Sequence, residues 1–273
     1  MGKFDGILIC TDLDDTLLST DKSVSSENLK AIEYFKSQGG YFTFVTGRVP
    51  QGAKLLLDYI HPNAPIVAYN GAGIYDFERN ELIWGLYLDK KALKILDFIT
   101  ERIPETGFVI CTDTRVCFSR QNYRTDLYRK IEQLAEDNTP HHQITEPIKK
   151  VVFVAEEDVI TKVRKLIEEN DFGEEFDYVQ SSANYYEILP AGASKGTGLH
   201  KLTQLLDLSP DMTIAVGDNE NDISMIKEAK IGIAVGNALD IVKESADLVT
   251  VTNDENAIAK IIYDLDIGEL MVP

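Results

Sequence analysis

Ile7-Leu8-Ile9-Cys10-Thr11-Asp12-Leu13-Asp14-Asp15-Thr16-Leu17 is the stretch whose reading decides the fold. Its opening run is continuous rather than alternating, the pattern of a strand buried on both faces of a parallel sheet. Asp12 follows the run directly. In an extended backbone positions 12 and 14 point the same way and Leu13 points opposite. Two carboxylates then share one small space at the carboxyl end of a strand, where open α/β sheets bind ligands. Like charges that close are costly unless something cationic sits between them. The competing reading is a polar turn, where Asp is common.

Working outward, similar runs recur at Tyr41–Val45, Pro65–Ala68, Met212–Val216, Ile231–Val235 and Leu248–Val251, and helix-period segments lie between them. Glu27–Gln38 places Leu29, Ile32 and Phe35 on one face and stops at Gly39-Gly40. Pro50 opens the next helix. Leu199, Leu202, Leu205 and Leu206 mark a helix after Ser194, and Ile223 and Ile226 mark another. This repetition predicts an α/β fold with a doubly wound parallel sheet. Residues 83–189 read differently. A strand at Ile83–Leu88 and a helix capped by Asp89 lead into a hairpin of Phe108–Thr112 with Arg115–Ser119. Helices over Thr125–Glu136 and Val159–Asn170, a strand at Lys150–Ala155 and a second hairpin around Ser182-Ala183-Asn184 complete an α+β unit. The expected organisation is a core of 1–82 and 190–273 with 83–189 inserted as a cap.

Three further segments place chemistry at strand ends. Thr46-Gly47-Arg48 closes the run at Val45; a hydroxyl and backbone N–H groups there can hold a phosphate, although Thr is also a good helix cap. Lys195 falls in the first turn of the helix capped by Ser194. A cation is unfavourable to the helix there, and a bound anion would offset that; the bland alternative is a solvated lysine. Gly217-Asp218-Asn219-Glu220-Asn221-Asp222 ends the run at Val216. Gly217 permits a sharp turn, Asp218 suits a hard divalent cation, Asn221 either holds a ligand or caps the next helix, and Asp222 reads as a first-turn acid complementing the helix dipole. Acids, a hydroxyl and a lysine on one side of one sheet suit phosphoryl transfer.

With Asp12-Leu13-Asp14-Asp15-Thr16, Thr46, Lys195 and Gly217–Asp222 in place, the chain resembles a haloacid dehalogenase (HAD) superfamily phosphatase of the Cof-type branch. Tyr69-Asn70-Gly71-Ala72 and Val235-Gly236-Asn237-Ala238 are similar to that branch too, and the resemblance covers nearly the whole chain. It implies a Rossmann-like core with an α+β cap that sets specificity. It implies that Asp12 forms an aspartyl-phosphate and that Asp14 protonates the leaving alcohol and then activates water. Mg²⁺ would be bound by Asp12, the Asp14 backbone carbonyl and Asp218. Thr46, the Gly47 amide and Lys195 would hold phosphoryl oxygens, and Asn221 would orient the phosphate or a metal-bound water. The nearby cations are expected to keep Asp12 ionised. Asp15 stands where many relatives have Gly, and Glu187 at the domain junction has no assigned role. In the cap, Arg120, Tyr123 and Arg124 have the chemistry to reach a substrate, against the usual solvated fate of loop side chains. Small phosphorylated metabolites, sugar phosphates first, are the substrates the branch implies. Alternatives are a phosphomutase using the same aspartyl-phosphate and a non-catalytic phosphoacceptor or binding protein.

Composition narrows the partners. The 273 residues carry 27 basic and 45 acidic side chains, a net charge of −18, which argues against nucleic acid and against an anionic membrane surface. Hydrophobic residues at 44% support a sizeable core, and no apolar run is long enough to span a bilayer. The N-terminus has no h-region or small-residue cleavage site, so a cytoplasmic protein is expected. The cysteines Cys10, Cys111 and Cys117 form no CxxC, and Cys10 reads as a core residue.

Overall fold

The computed structural model describes residues 2–172 and 175–270. The chain begins β1 (Leu8–Thr11), α1 (Ser26–Ser37), β2 (Tyr41–Phe44), the single turn α2 (Pro50–Ala53), β3 (Ile66–Ala68), β4 (Gly73–Asp76) and β5 (Glu81–Gly85). It continues α3 (Ala92–Arg102), β6 (Gly107–Thr112), β7 (Val116–Arg120), α4 (Tyr123–Ile131), β8 (Ile148–Val154), α5 (Glu157–Glu168), β9 (Phe176–Ser182) and β10 (Tyr185–Pro190). It closes with α6 (Lys195–Leu205), β11 (Thr213–Gly217), α7 (Ile223–Glu228), β12 (Ile231–Ala234), α8 (Asp240–Ser245), β13 (Leu248–Val249) and α9 (Ala257–Ile267). These elements form two compact units. One holds the chain up to Gly47, Lys54–Ile83 and the chain from Ser194 onward; the other holds Arg48–Ala53 and Trp84–Ala193.

In the first unit five strands form a parallel sheet in the order β13-β12-β11-β1-β2. Every residue of β1 is buried, Cys10 included, which is why its sequence shows no alternation. The chain leaves β1 towards β2 and leaves β11 towards β12, so the strand order reverses at the β1–β11 pair. The carboxyl ends of those strands therefore flank a switch point. Ser25 starts α1 by accepting from the Asn28 amide at 3.0 Å, and the Asn28 side chain accepts from Ala259 N at 2.9 Å, tying α1 to α9.

Pro65–Ala68, expected in the parallel sheet, is not part of it. It becomes β3, pairs antiparallel with β4, and meets the parallel sheet through a single parallel bridge, Val45–Val67, and the Thr43 hydroxyl on Pro65 O at 2.8 Å. The cause is local. Tyr69, Asn70 and Gly71 take φ of 56°, 54° and 93°, which turns the chain back before a crossover helix can form. The strand expected at Ile83–Leu88 lies earlier, as β5, and completes this small sheet.

The second unit is an antiparallel sheet in the order β7-β6-β8-β10-β9. Phe108, Ile110, Val151, Phe153 and Ile188 pack with Ile95 and Ile99 of α3 and Ile160 and Val163 of α5. Lys150 and Glu187 are buried on β8 and β10 as a 2.7 Å ion pair, and the Ser181 hydroxyl also donates to Glu187. Buried charges are tolerable only when so paired. Asp89 does not cap α3: its carboxylate accepts from the Lys91 amide at 2.7 Å, and Lys91 holds the cap position. α4 begins two residues earlier than expected, on an Asn122–Thr125 capping box, and stops at Ile131 instead of Glu136, with Gln133 at φ 48°. Arg48–Ala53 groups here as well, with Arg48 paired to Glu132 at 3.5 Å. Among the described residues no helix is long and apolar enough to cross a membrane.

Candidate active site

Asp12 extends β1 by one residue, its amide donating to Val216 O on β11 at 2.9 Å. Its side chain is almost wholly buried at the carboxyl end of the strand. Residues Leu13–Leu17 then make one wide turn, closed by the Leu18 amide on Leu13 O at 2.8 Å. The turn leaves Asp14 partly exposed and points Thr16 inward, where its hydroxyl donates to Asp218 Oδ1 at 2.6 Å.

At the end of β11 the loop 218–222 folds tightly back. A Cβ on Gly217 would lie 2.4 Å from Cβ of Asp222, so only glycine permits this approach. The amides of Asp218 and Asn219 both donate to Asp222 Oδ2, at 2.9 and 3.0 Å. Asp222 Oδ1 accepts from Lys195 Nζ, which also donates to Asp12 Oδ1 at 2.6 Å. Lys195 is the first residue of α6, set there by Ser194, whose hydroxyl accepts from Thr197 N. It is 1% exposed, so the solvated-lysine reading fails. Asp222 is the first-turn acid that the sequence predicts, and it does more: this carboxylate is fully buried and accepts from two amides and an ammonium. A carboxylate oxygen from each of Asp12, Asp218 and Asp222 falls within 4.8 Å of the others.

The electrostatics test this cluster for a cation. Three carboxylates face one ammonium, which leaves two negative charges uncompensated in a buried space. Burial pushes the Asp12 carboxyl well above the usual carboxylate range; Lys195 pulls it down, and Asp222, Asp218 and Asp14 push it up again. Lys195 is thus the one influence among these that favours the Asp12 carboxylate, and a bound cation would act in the same direction. Asp218 is raised to about 7 by burial and by Asp222, with the Thr16 hydroxyl opposing. Burial works against the charge on Lys195, but Asp12 and Asp222 outweigh it and hold the ammonium above its ordinary range. A hard divalent cation fits this donor set. Mg²⁺ takes one or two carboxylates plus water and phosphate oxygens, and Asp12 and Asp218 are the two carboxylates not already saturated as Asp222 is.

A second group gathers beside it. Thr46 is buried at the end of β2, with its amide on Val67 O at 2.9 Å. It is four residues before α2 and does not cap it. Asn70 donates its amide to Thr46 O at 3.1 Å, and its side chain lies 3.1 Å from where a Cβ on Gly47 would be. Asn221 Nδ2 donates to Asn70 Oδ1 at 3.0 Å, while Asn221 Oδ1 is buried and accepts from no group among the described residues. Asn219 and Asp222, not Asn221, cap the following turn. Gly71 abuts Ser194 O so closely that a Cβ would sit 1.8 Å from it, which seats the Asn70 turn on the start of α6. Asp222 and Asn70 are the site residues that sequence reasoning left out; the spacing of Asp222 from Gly217 and the Tyr69–Ala72 motif were the signals. In the second unit, Arg120 is tied to the carbonyls of Thr106 and Pro104, and Arg124 is bidentate to Glu156, while Tyr123 is exposed.

Residues 9–262 match the family model of haloacid dehalogenase-like hydrolases. The chain belongs to that family. The match spans every site residue named above. This hydrolase is 32% identical to 5-amino-6-(5-phospho-D-ribitylamino)uracil phosphatase YcsE of Bacillus subtilis, over 93% of this chain and 94% of that one. It is 31% identical to YwtE of the same organism, which carries the same description, over 96% and 98%. A haloacid dehalogenase-like hydrolase from Bacteroides thetaiotaomicron superposes with a TM-score of 0.81 at 26% identity, covering 95% and 99% of the two chains. The hydrolase is a phosphatase, and its parallel-sheet core is the Rossmann-like α/β fold that the sequence predicts.

Proposed function

We propose that this phosphatase hydrolyses small phosphomonoesters of polyhydroxy compounds, sugar phosphates or phosphorylated sugar alcohols, through a phosphoryl group carried on Asp12. The observation that carries the proposal is Lys195 buried between Asp12 and Asp222. An ammonium so placed holds the Asp12 carboxylate in one orientation and offers charge to phosphoryl oxygens. The −18 net charge favours a small substrate over a polyanion, and YcsE is described as acting on a phosphoribityl compound.

In this reading Asp12 Oδ attacks phosphorus and the ester P–O bond breaks. Asp14, partly exposed on the wide turn, gives its proton to the departing alkoxide. The same carboxylate then takes a proton from water, the water oxygen bonds to phosphorus, and the bond to Asp12 breaks to release phosphate. Thr46, the Gly47 amide and Lys195 would hold phosphoryl oxygens, and the orphaned Asn221 Oδ1 is free to accept from a substrate hydroxyl or a water. Asp12 and Asp218, with the Asp14 carbonyl, would hold Mg²⁺, which when bound supplies charge for the transferring group. The second unit is proposed as the cap that selects the leaving group.

The test is phosphate release from a panel of sugar phosphates, sugar-alcohol phosphates and nucleotides, with Mg²⁺ and with chelator. Mg²⁺-dependent release from a few polyol phosphates is expected. Release undiminished by chelator would refute the metal assignment, and isomerised products without free phosphate would show a mutase.

A further inference from the structure

Asp15 is the one acid of the first motif that the mechanism leaves unused, and it is held with unusual care. Its backbone sits at φ 60°, a region that asparagine and aspartate tolerate but most residues avoid. Its carbonyl accepts from Asn237 Nδ2 at 2.7 Å; Asn237 Oδ1 accepts from Asn253 N at 2.9 Å; and Asn253 Nδ2 donates to Leu18 O at 3.0 Å. The wide turn is thus pinned at its middle to the loop after β12 and just past its end to the loop after β13.

Lys22 is held from the other side. It also has positive φ, 63°, in a loop closed by Ser19 N on Ser23 O at 2.9 Å and Lys22 N on Ser19 O at 2.8 Å. Thr20 ties that loop down, its amide and hydroxyl each donating to the Asp254 carboxylate at 2.8 Å. From this anchored backbone Lys22 Nζ donates to Asp15 Oδ1 at 2.8 Å and stands 3.6 Å from Asp14 Oδ1.

We infer that Lys22, steadied by Asp15, is a positioning residue for Asp14, confining its carboxylate to the orientation from which it serves the leaving oxygen. The inference rests on the reading of Asp14 as proton donor. Asp14 is partly exposed, and Lys22 is one of the groups that act on its carboxylate. At 3.6 Å the ammonium attracts the carboxylate mainly as a charge, beyond the distance of a close hydrogen bond donated to it. Asp15 takes the short bond and so fixes where the ammonium stands. An ordinary exposed ion pair would matter little to anything, so the test must read the proton-transfer step itself.

Phenyl phosphate and p-nitrophenyl phosphate fill a site alike but differ in leaving group: phenolate needs a proton far more than nitrophenolate. kcat/KM for both esters is compared in wild type, Lys22→Met, Lys22→Arg, Asp15→Asn and, as reference, Asp14→Asn, each first shown to unfold at the wild-type temperature. Lys22→Met is expected to lower kcat/KM on phenyl phosphate about tenfold, a fraction of what a general acid supplies, and on p-nitrophenyl phosphate less than about twofold. Lys22→Arg restores most of the loss, and Asp15→Asn shows the same selectivity in weaker form. Equal losses on both esters, or none, in Lys22→Met while Asp14→Asn still discriminates would overturn the positioning role and leave Asp14 standing. An Asp14→Asn protein that slows both esters equally would overturn the Asp14 reading and this inference with it. Should Lys22→Met unfold early, Lys22→Gln carries the same comparison.

Discussion

Lys195 Nζ lies 2.6 Å from Asp12 Oδ1 across 183 residues of sequence, and both side chains are buried. The contact joins the start of α6 to the end of β1 and gives Asp222 a second claim on the same ammonium. A buried cation that holds two carboxylates is a structural part as well as a chemical one.

Replacing Lys195 therefore tests stability as well as activity. Lys195→Met leaves Asp12 and Asp222 facing each other unpaired, and breaking a buried ion pair in this way costs about 3–5 kcal/mol. Urea unfolding should show that loss together with near-complete loss of phosphate release. An unchanged unfolding midpoint would mean that the site relaxes in a way the geometry does not suggest.

Asp218 has the opposite sign. Burial and Asp222 disfavour its carboxylate in the metal-free protein. Asp218→Asn removes that repulsion, keeps an acceptor for Thr16, and should raise the metal-free melting temperature at pH 8. Mg²⁺ at about 100 times its dissociation constant stabilises wild type by about 2.7 kcal/mol through mass action. The variant should show no such shift. A variant that melts lower than wild type without metal would contradict the charge account.

Gly217→Ala probes the tight loop. The added Cβ would stand 2.4 Å from that of Asp222, so the loop must open and the two amide contacts to Asp222 must lengthen. We expect a loss of about 1–3 kcal/mol, the usual range for overpacking, and weaker Mg²⁺ binding in calorimetry. Wild-type affinity in this variant would show that the loop does not shape the cation site.

Lys149 gives the second unit a pH signature. Burial pushes it down to about 8, with Asp113 partly offsetting, and it lies over the Tyr87 ring. In the unfolded chain a lysine keeps its proton up to about 10.4. Between those values the unfolded state binds more protons, so this residue makes stability rise with pH from about 8 to about 10.4. The cost of its burial is fully present below that window and absent above it. Lys149→Met should flatten the rise in urea midpoints relative to wild type, and an identical slope would exclude Lys149 as its source.

Much of the site was legible because its chemistry sits where strands end. Asp12, Asp14, Thr46, Lys195 and Asp218 each follow a buried run or open a helix, and topology alone brings such positions to one edge of a parallel sheet. Asp222 was legible as a first-turn acid but not as a partner of Lys195. An acid opening a helix already has a sufficient explanation in the dipole, and only the fold-back at Gly217 reveals its burial. Asn70 was hidden because its partner Asn221 lies 151 positions away. The misplacement of Pro65–Ala68 has a similar cause: a short apolar run looks the same in either kind of sheet, and the positive φ of Tyr69 leaves no mark in its identity.

The most direct test of the central claim is to trap the phosphoenzyme. Wild-type protein is mixed with Mg²⁺ and its best polyol phosphate, quenched in acid during steady-state turnover, and digested for mass spectrometry. The account predicts an acid-stable, base-labile phosphate on the peptide containing Asp12, absent from Asp12→Asn. An acyl phosphate on another carboxylate, or the same modification surviving in Asp12→Asn, would contradict it.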